Sequence, residues 1–180
     1  GSTATNNSIN ITWEPPEFDG NEPIIYYHVY WGGSPSAPDL LTKTTLLHYN
    51  HTGLQKGKTY YYTVKANNSV GTGPGTSTFN RPISPPGPPV WDDLVTGNRH
   101  VNLTWFPPWD KGGFEKVTYQ VMYGDQPDNL ENTIRDINRT YLEVKGLENG
   151  IKYFFQLFSL NQLGSSEGSE ILNATPLARP

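Results

Sequence analysis

Apolar and polar residues alternate over short stretches of this chain. Ile11 and Trp13 alternate with Asn10 and Thr12. One face is apolar and the other polar at period two, which predicts a half-buried β-strand. Leu103 and Trp105 alternate with Asn102 and Thr104 in the same way. The pairs Pro15-Pro16 and Pro107-Pro108 close these strands, because proline cannot donate to a ladder. A second pattern puts Ile25, Tyr27, Val29 and Trp31 on one face, and further along Val117, Tyr119, Val121 and Tyr123. A third carries Tyr60, Tyr62, Val64 and Ala66 inward, matched by Tyr153, Phe155, Leu157 and Ser159. Turn-rich segments follow, Asn68 to Gly73 and Asn161 to Gly164. No helical period of useful length is present.

The matched patterns are an internal repeat. Asn10 to Pro16 recurs at Asn102 to Pro108, offset by 92, and Gly53-Leu54 recurs at Gly146-Leu147, offset by 93. A slip of one residue is a single loop insertion. A period this long is a whole domain rather than a solenoid unit. The chain therefore divides into 1–82 and 83–180, with a linker at about 82–89. Its 180 residues allow two small domains, each with one compact core.

Charge and composition narrow the function. The net charge is −4, from 13 basic and 17 acidic residues without a basic run. A nucleic-acid partner is therefore not expected, since no cluster of cations can displace counterions from phosphates. No apolar run approaches the ~20 residues of a membrane span, so this segment does not insert in a bilayer. The absence of cysteine excludes disulfides and thiol nucleophiles. The run Gly71-Thr72-Gly73-Pro74-Gly75 sits in a predicted hairpin loop, with no helix to cradle a phosphate. His48 and His51 are three apart on a strand and point to opposite faces. His51 is read as a histidine at the rim of the core with one hydrogen bond. No catalytic residue, metal ligand or cofactor site is expected, and the chain is read as non-enzymatic.

Trp followed by Pro-Pro, then Tyr-x-Val, then Leu-x5-Tyr-x-aromatic-x-aliphatic-x-small-x-Asn resembles the fibronectin type III pattern. Trp13 to Tyr60 is 47 residues and Trp105 to Tyr153 is 48. The resemblance covers nearly all of both halves. It implies an all-β chain of two tandem immunoglobulin-like seven-strand sandwiches, with strands A, B and E in one sheet and C, C′, F and G in the other. It also implies that Trp13 and Trp105 are structural core residues. Tyr60 and Tyr153 would be tyrosine corners, each phenol bonding backbone near Leu54 or Leu147. Only twelve residues precede Trp13, which predicts that strand A of the first copy is truncated and leaves part of strand B an unprotected edge. The proline-rich segment 82–89 predicts an extended, semi-stiff connection. The tail Pro176 to Pro180 resembles the start of another, so the pair reads as two links of a longer array.

Seven of sixteen Asn lie in Asn-x-Ser/Thr: Asn6, Asn10, Asn50, Asn67, Asn102, Asn138 and Asn173. Chance composition gives roughly two or three. The excess predicts a glycosylated extracellular or cell-surface protein. Outward strand positions hold Tyr26, His28, Tyr30 and Tyr61 in the first domain and Met122, Phe154 and Phe158 in the second. These are candidate contact faces for other protein domains or for self-association, weighed against ordinary packing within the sheet. The functional expectation is a spacer and adhesion module pair. The alternative is an accessory spacer of a secreted polysaccharide-degrading enzyme. A third reading, an intracellular scaffold array, fits the sequon excess less well.

Overall fold

A computed structural model describes residues 1–36 and 38–178 of the chain. The chain divides into two compact units, residues 1–84 and 85–180. In the first, β1 (Ser2–Ala4), β2 (Ile9–Thr12) and β5 (His48–His51) form one antiparallel sheet in the order β1-β2-β5. The facing sheet runs β4-β3-β6-β7, from β3 (Tyr26–Gly32), β4 (Asp39–Thr44), β6 (Tyr60–Asn67) and β7 (Thr72–Asn80). The second unit repeats this. β8 (Val90–Gly97), β9 (His100–Phe106) and β12 (Tyr141–Lys145) make one sheet in the order β12-β9-β8. β10 (Thr118–Gly124), β11 (Asn132–Ile137) and β13 (Tyr153–Asn161) make the other, and β14 (Gly164–Ser165) and β15 (Leu172–Ala174) both pair with β13. No helix occurs among the described residues. These are two all-β sandwiches in the predicted sheet order.

Alternation sets the register. Val29 pairs with Val64 in the first domain and Val121 with Leu157 in the second, and all four are buried. Ile9, Ile11, Tyr27 and Tyr62 close the first core. Val101, Leu103, Tyr119 and Phe155 close the second. Trp13 and Trp105 are buried in these cores, their rings meeting Tyr27 and Tyr119 edge-on at 5.7 and 5.5 Å.

Two expectations need correction. Ile25 does not face the core. It lies outside β3, is 54% exposed, and its N–H donates to Asn67 O at 2.8 Å; the apolar face of β3 starts at Tyr27. Strand A of the first domain is short, three residues against eight in β8, yet β2 is not left as an open edge. Ser2, Thr3 and Ala4 pair with Ile11, Asn10 and Ile9, and the Gly1 amine and carbonyl bond to Thr12 at 2.8 and 3.0 Å. Segment 82–89 carries hydrogen bonds near both of its ends. Pro82 is fully buried and accepts Gly57 N–H at 2.9 Å, while Gly87 N–H donates to Asp110 O at 2.8 Å and Gly87 O accepts the Ser159 hydroxyl at 2.6 Å.

The last strand of the second domain is broken between β14 and β15, and serines bridge the break. Ser166 and Ser169 N–H donate to Ser159 O and Leu157 O, both at 2.8 Å. In return their hydroxyls accept Ser159 N–H at 3.0 Å and Leu157 N–H at 2.9 Å. A side-chain oxygen thus stands where a ladder carbonyl would, which keeps the buried backbone of β13 satisfied.

Candidate contact faces

Each candidate residue sits on the sandwich frame just described. Tyr60, buried at the start of β6, accepts Gln55 N–H on its phenol oxygen at 3.0 Å. Tyr153, half-buried at the start of β13, accepts Glu148 N–H at 3.1 Å. The donors are the neighbours of Leu54 and Leu147. Tyr60→Phe is therefore expected to cost about 1–3 kcal/mol, the penalty of an N–H stranded in a partly buried loop. Tyr153→Phe should cost less, because water reaches its more exposed bond. Urea melts of the two variants check this; equal losses would contradict the burial difference.

His51 is half-buried and crosses between the two sheets of the first domain. Its Nδ1 shares a 2.9 Å hydrogen bond with the Tyr62 hydroxyl on β6. The Trp31, Tyr60 and Tyr62 rings stand around it at 5.1 to 6.1 Å. Burial pushes the His51 imidazole down from its ordinary value and the Tyr62 phenol far up, with Tyr60 and Tyr49 adding to the second shift. Both groups are neutral at pH 7, and the pair is a polar tie inside an aromatic cluster.

The outward face of the first domain is a row of rings along β3. Tyr26 and His28 lie 5.0 Å apart, and His28 and Tyr30 6.0 Å. Lys43 on β4 and Lys65 on β6 both pair with His28. They lean away along the row, Lys43 Nζ 3.4 Å over Tyr26 and Lys65 Nζ 5.5 Å over Tyr30. Tyr61 packs against Phe79 at 5.8 Å. All four predicted face residues are half-buried, the lysines giving cation–π cover.

In the second domain Met122, Phe154 and Phe158 point outward and are half-buried. Met122 lies diagonal to both Phe154 and Phe158. Phe154 pairs with Gly124 and Asn173, Met122 with Gln156, and Phe158 with Gln120. Polar residues are interleaved with the apolar ones. More exposed apolar groups lie elsewhere. Trp109, in the loop after β9, is fully exposed, and Val90 and Phe106 pair across β8 and β9 with more than half of each in solvent. The signal for Phe106 was in the sequence, since it directly follows inward Trp105. Trp109 has none, because Pro-Pro breaks the periodicity before it.

Among the sequon residues, Asn6, Asn50, Asn102, Asn138 and Asn173 are exposed, and Asn10 and Asn67 half-buried. Asn10 and Asn50 face each other directly across β2 and β5. Asn67 Nδ2 donates to Thr72 Oγ1 at 2.6 Å. No group of three His, Cys, Asp or Glu side chains is arranged to hold a metal among the described residues.

Comparison with known proteins matches this geometry. The family model for the fibronectin type III domain covers residues 1–80 and 85–175. The Kelch domain-containing protein SSO1033 of Saccharolobus solfataricus is 29% identical over 178 residues, 98% of this chain and 23% of its own length. Titin of Drosophila melanogaster is 30% identical over 171 residues, 87% of this chain and 1% of its own. Netrin receptor DCC of Rattus norvegicus is 28% identical over 176 residues, 93% of this chain and 12% of its own. The chain thus spans less than a quarter of each of these relatives. The solved structure of the FN1–FN3 domains of chicken CNTN1 superposes over 99% of this chain and 65% of that one, with a TM-score of 0.51 at 17% identity.

Proposed function

Because the chain belongs to the fibronectin type III family through both of its domains, we propose that it is a non-catalytic spacer and adhesion pair of an extracellular or cell-surface multidomain protein. A protein-interaction role fits the family, and the matched relatives are themselves long proteins. The two outward sheet faces supply surfaces for partner domains or for a second copy.

The observation that carries the extracellular part is the placing of the sequons. Five of the seven acceptor side chains are exposed on strands and turns. Asn173 lies beside Phe154, so a glycan there would cover part of the outward face of the second domain. Asn10 and Asn50 are cross-strand partners with Cα atoms about 5 Å apart, so the two cannot both carry glycans.

Expression through a eukaryotic secretory pathway tests this. The expected product is secreted and loses mass on peptide N-glycosidase treatment. Site mapping should find sugar at Asn102, Asn138 and Asn173, and at one of Asn10 and Asn50 but never both on one molecule. An unmodified chain retained in the cell would contradict the extracellular reading.

A further inference from the structure

One outward position is filled differently in the two domains. In the first, Tyr61 on β6 stands between Gly32 of β3 and Phe79 of β7. Gly32 offers no side chain, so Phe79 is the direct cross-strand cover of the Tyr61 ring, with centroids 5.8 Å apart. In the second, Phe154 on β13 is the counterpart of Tyr61, offset by 93. It stands between Gly124 of β10 and Asn173 of β15. Gly124 cannot supply cover either, because a Cβ there would lie 2.6 Å from Asn129 O. Asn173 therefore occupies the place of Phe79, and among the described residues no ring or cation is set against Phe154.

Asn173 opens the sequon Asn173-Ala174-Thr175. Ala174 is buried and Asn173 exposed, so the acceptor projects from the outer side of the sheet. Its side-chain amide makes no hydrogen bond among the described residues. Asn67 is also paired with an outward ring, Tyr26. There, however, Nδ2 is held by Thr72 at 2.6 Å, and Lys43 Nζ already lies 3.4 Å over the ring. Asn173 combines what Asn67 does not: an acceptor free of other bonds and an uncovered ring directly opposite.

We propose that Asn173 carries an N-linked glycan whose first sugar, a pyranose of the N-acetylglucosamine type, packs on Phe154 and covers β13 as Phe79 covers β6. Directly opposed residues on one face of a sheet have Cβ atoms about 5 Å apart. The sugar starts at Nδ2, two bonds beyond Cβ, and so stands beside the phenyl ring. A pyranose with equatorial substituents presents axial C–H bonds, which meet the electron-rich face of the ring. Apolar area of both groups leaves water. The proposal rests on the reading of the protein as glycosylated and extracellular, and it gives one glycan a structural task. Attaching the sugar chemically tests the packing without any export step, so the two readings can fail separately.

The protein has no cysteine, so Asn173→Cys supplies a single thiol in the 180-residue chain. The thiol is alkylated with the iodoacetamide derivative of N-acetylglucosamine or, as control, with iodoacetamide. Amide exchange at Val121 and Leu157 reads the opening of the second domain. The sugar is expected to slow it about two- to fivefold against the control, the effect of one cross-strand pair. Exchange at Val29 and Val64 in the first domain should not change. Nuclear Overhauser contacts should join the Phe154 ring to the sugar ring protons. The slowing should vanish when Phe154→Ala is added. It should also be missing when the same sugar is placed through Asn102→Cys, since Asn102 faces Val95 and Glu143 and no ring. In the chain exported through a secretory pathway, Asn173 should carry sugar. Equal exchange with and without the sugar, slowing that survives Phe154→Ala, or equal slowing from Asn102 would overturn the packing and leave the extracellular reading untouched. A secreted chain glycosylated elsewhere but bare at Asn173 would overturn the site alone. A chain with no sugar at any sequon would overturn both.

Discussion

Phe155→Ala is expected to remove about 3–5 kcal/mol from the stability of the second domain. Phe155 is wholly buried. It stacks on Tyr123 with ring centroids 5.9 Å apart and planes 20° from parallel, and it pairs with Tyr123 on one side and Leu172 on the other. It joins the core cluster with Val121, Leu103 and Leu157. Truncation loses the transfer free energy of the ring and leaves a cavity that strands held in a ladder cannot collapse to fill. Against a typical domain stability of about 5–15 kcal/mol, most of the margin goes. Phe154, one residue earlier, is the control. It points outward and is half-buried, so Phe154→Ala should cost about 1 kcal/mol. Urea melts of both variants check the pair. Comparable losses would mean that β13 is not held in this register.

Ser169→Ala is expected to cost the same domain about 1–3 kcal/mol while deleting only one oxygen. The Ser169 hydroxyl accepts Leu157 N–H at 2.9 Å and donates to Glu170 O at 2.9 Å. Leu157 is wholly buried, so water cannot replace the lost acceptor. Ser166→Ala removes the matching bond to Ser159 N–H at 3.0 Å. Both serines lie on one short segment, so the double variant need not equal the sum of the singles. Hydrogen exchange of the Leu157 amide, which should speed up in Ser169→Ala, reads the same bond directly. A stability change within about 0.5 kcal/mol, with the amide still protected, would contradict the serine bridge.

Much of the fold was legible because its signals are local and doubled. Strict alternation in β3, β6, β10 and β13 sets the core face, and the repeat supplies each pattern twice. Ile25 shows where alternation fails. It continues the apolar period one step past the strand, but the ladder starts at Tyr26, and periodicity carries no information about where pairing begins. The break between β14 and β15 was hidden for a different reason. Ser166, Gly168 and Ser169 are small or polar residues without a periodic pattern, although the serines are buried and act as backbone acceptors. Which long neighbours cover the outward faces was not legible. Lys43 and Lys65 are distant from Tyr26 and Tyr30 in sequence, so the stacking of a lysine on a ring depends on tertiary pairing. Strand A of the first domain was rightly foreseen as short. That its few residues and the Gly1 backbone would still cover β2 depended on the pairing of Ser2 with Ile11, which no spacing expresses.

The central claim is that one sandwich is built twice in the same register, and that every inward and outward assignment follows from it. A one-residue slip in either copy would exchange core and surface along a whole strand. Cross-strand nuclear Overhauser contacts between α-protons and between amide protons test this most directly. The account predicts contacts joining Val29 to Val64 and Val64 to Thr76 in the first domain, and Val121 to Leu157 and Leu103 to Leu94 in the second. Contacts displaced by one residue in either domain, such as Val29 to Thr63 or Val121 to Gln156, would contradict it.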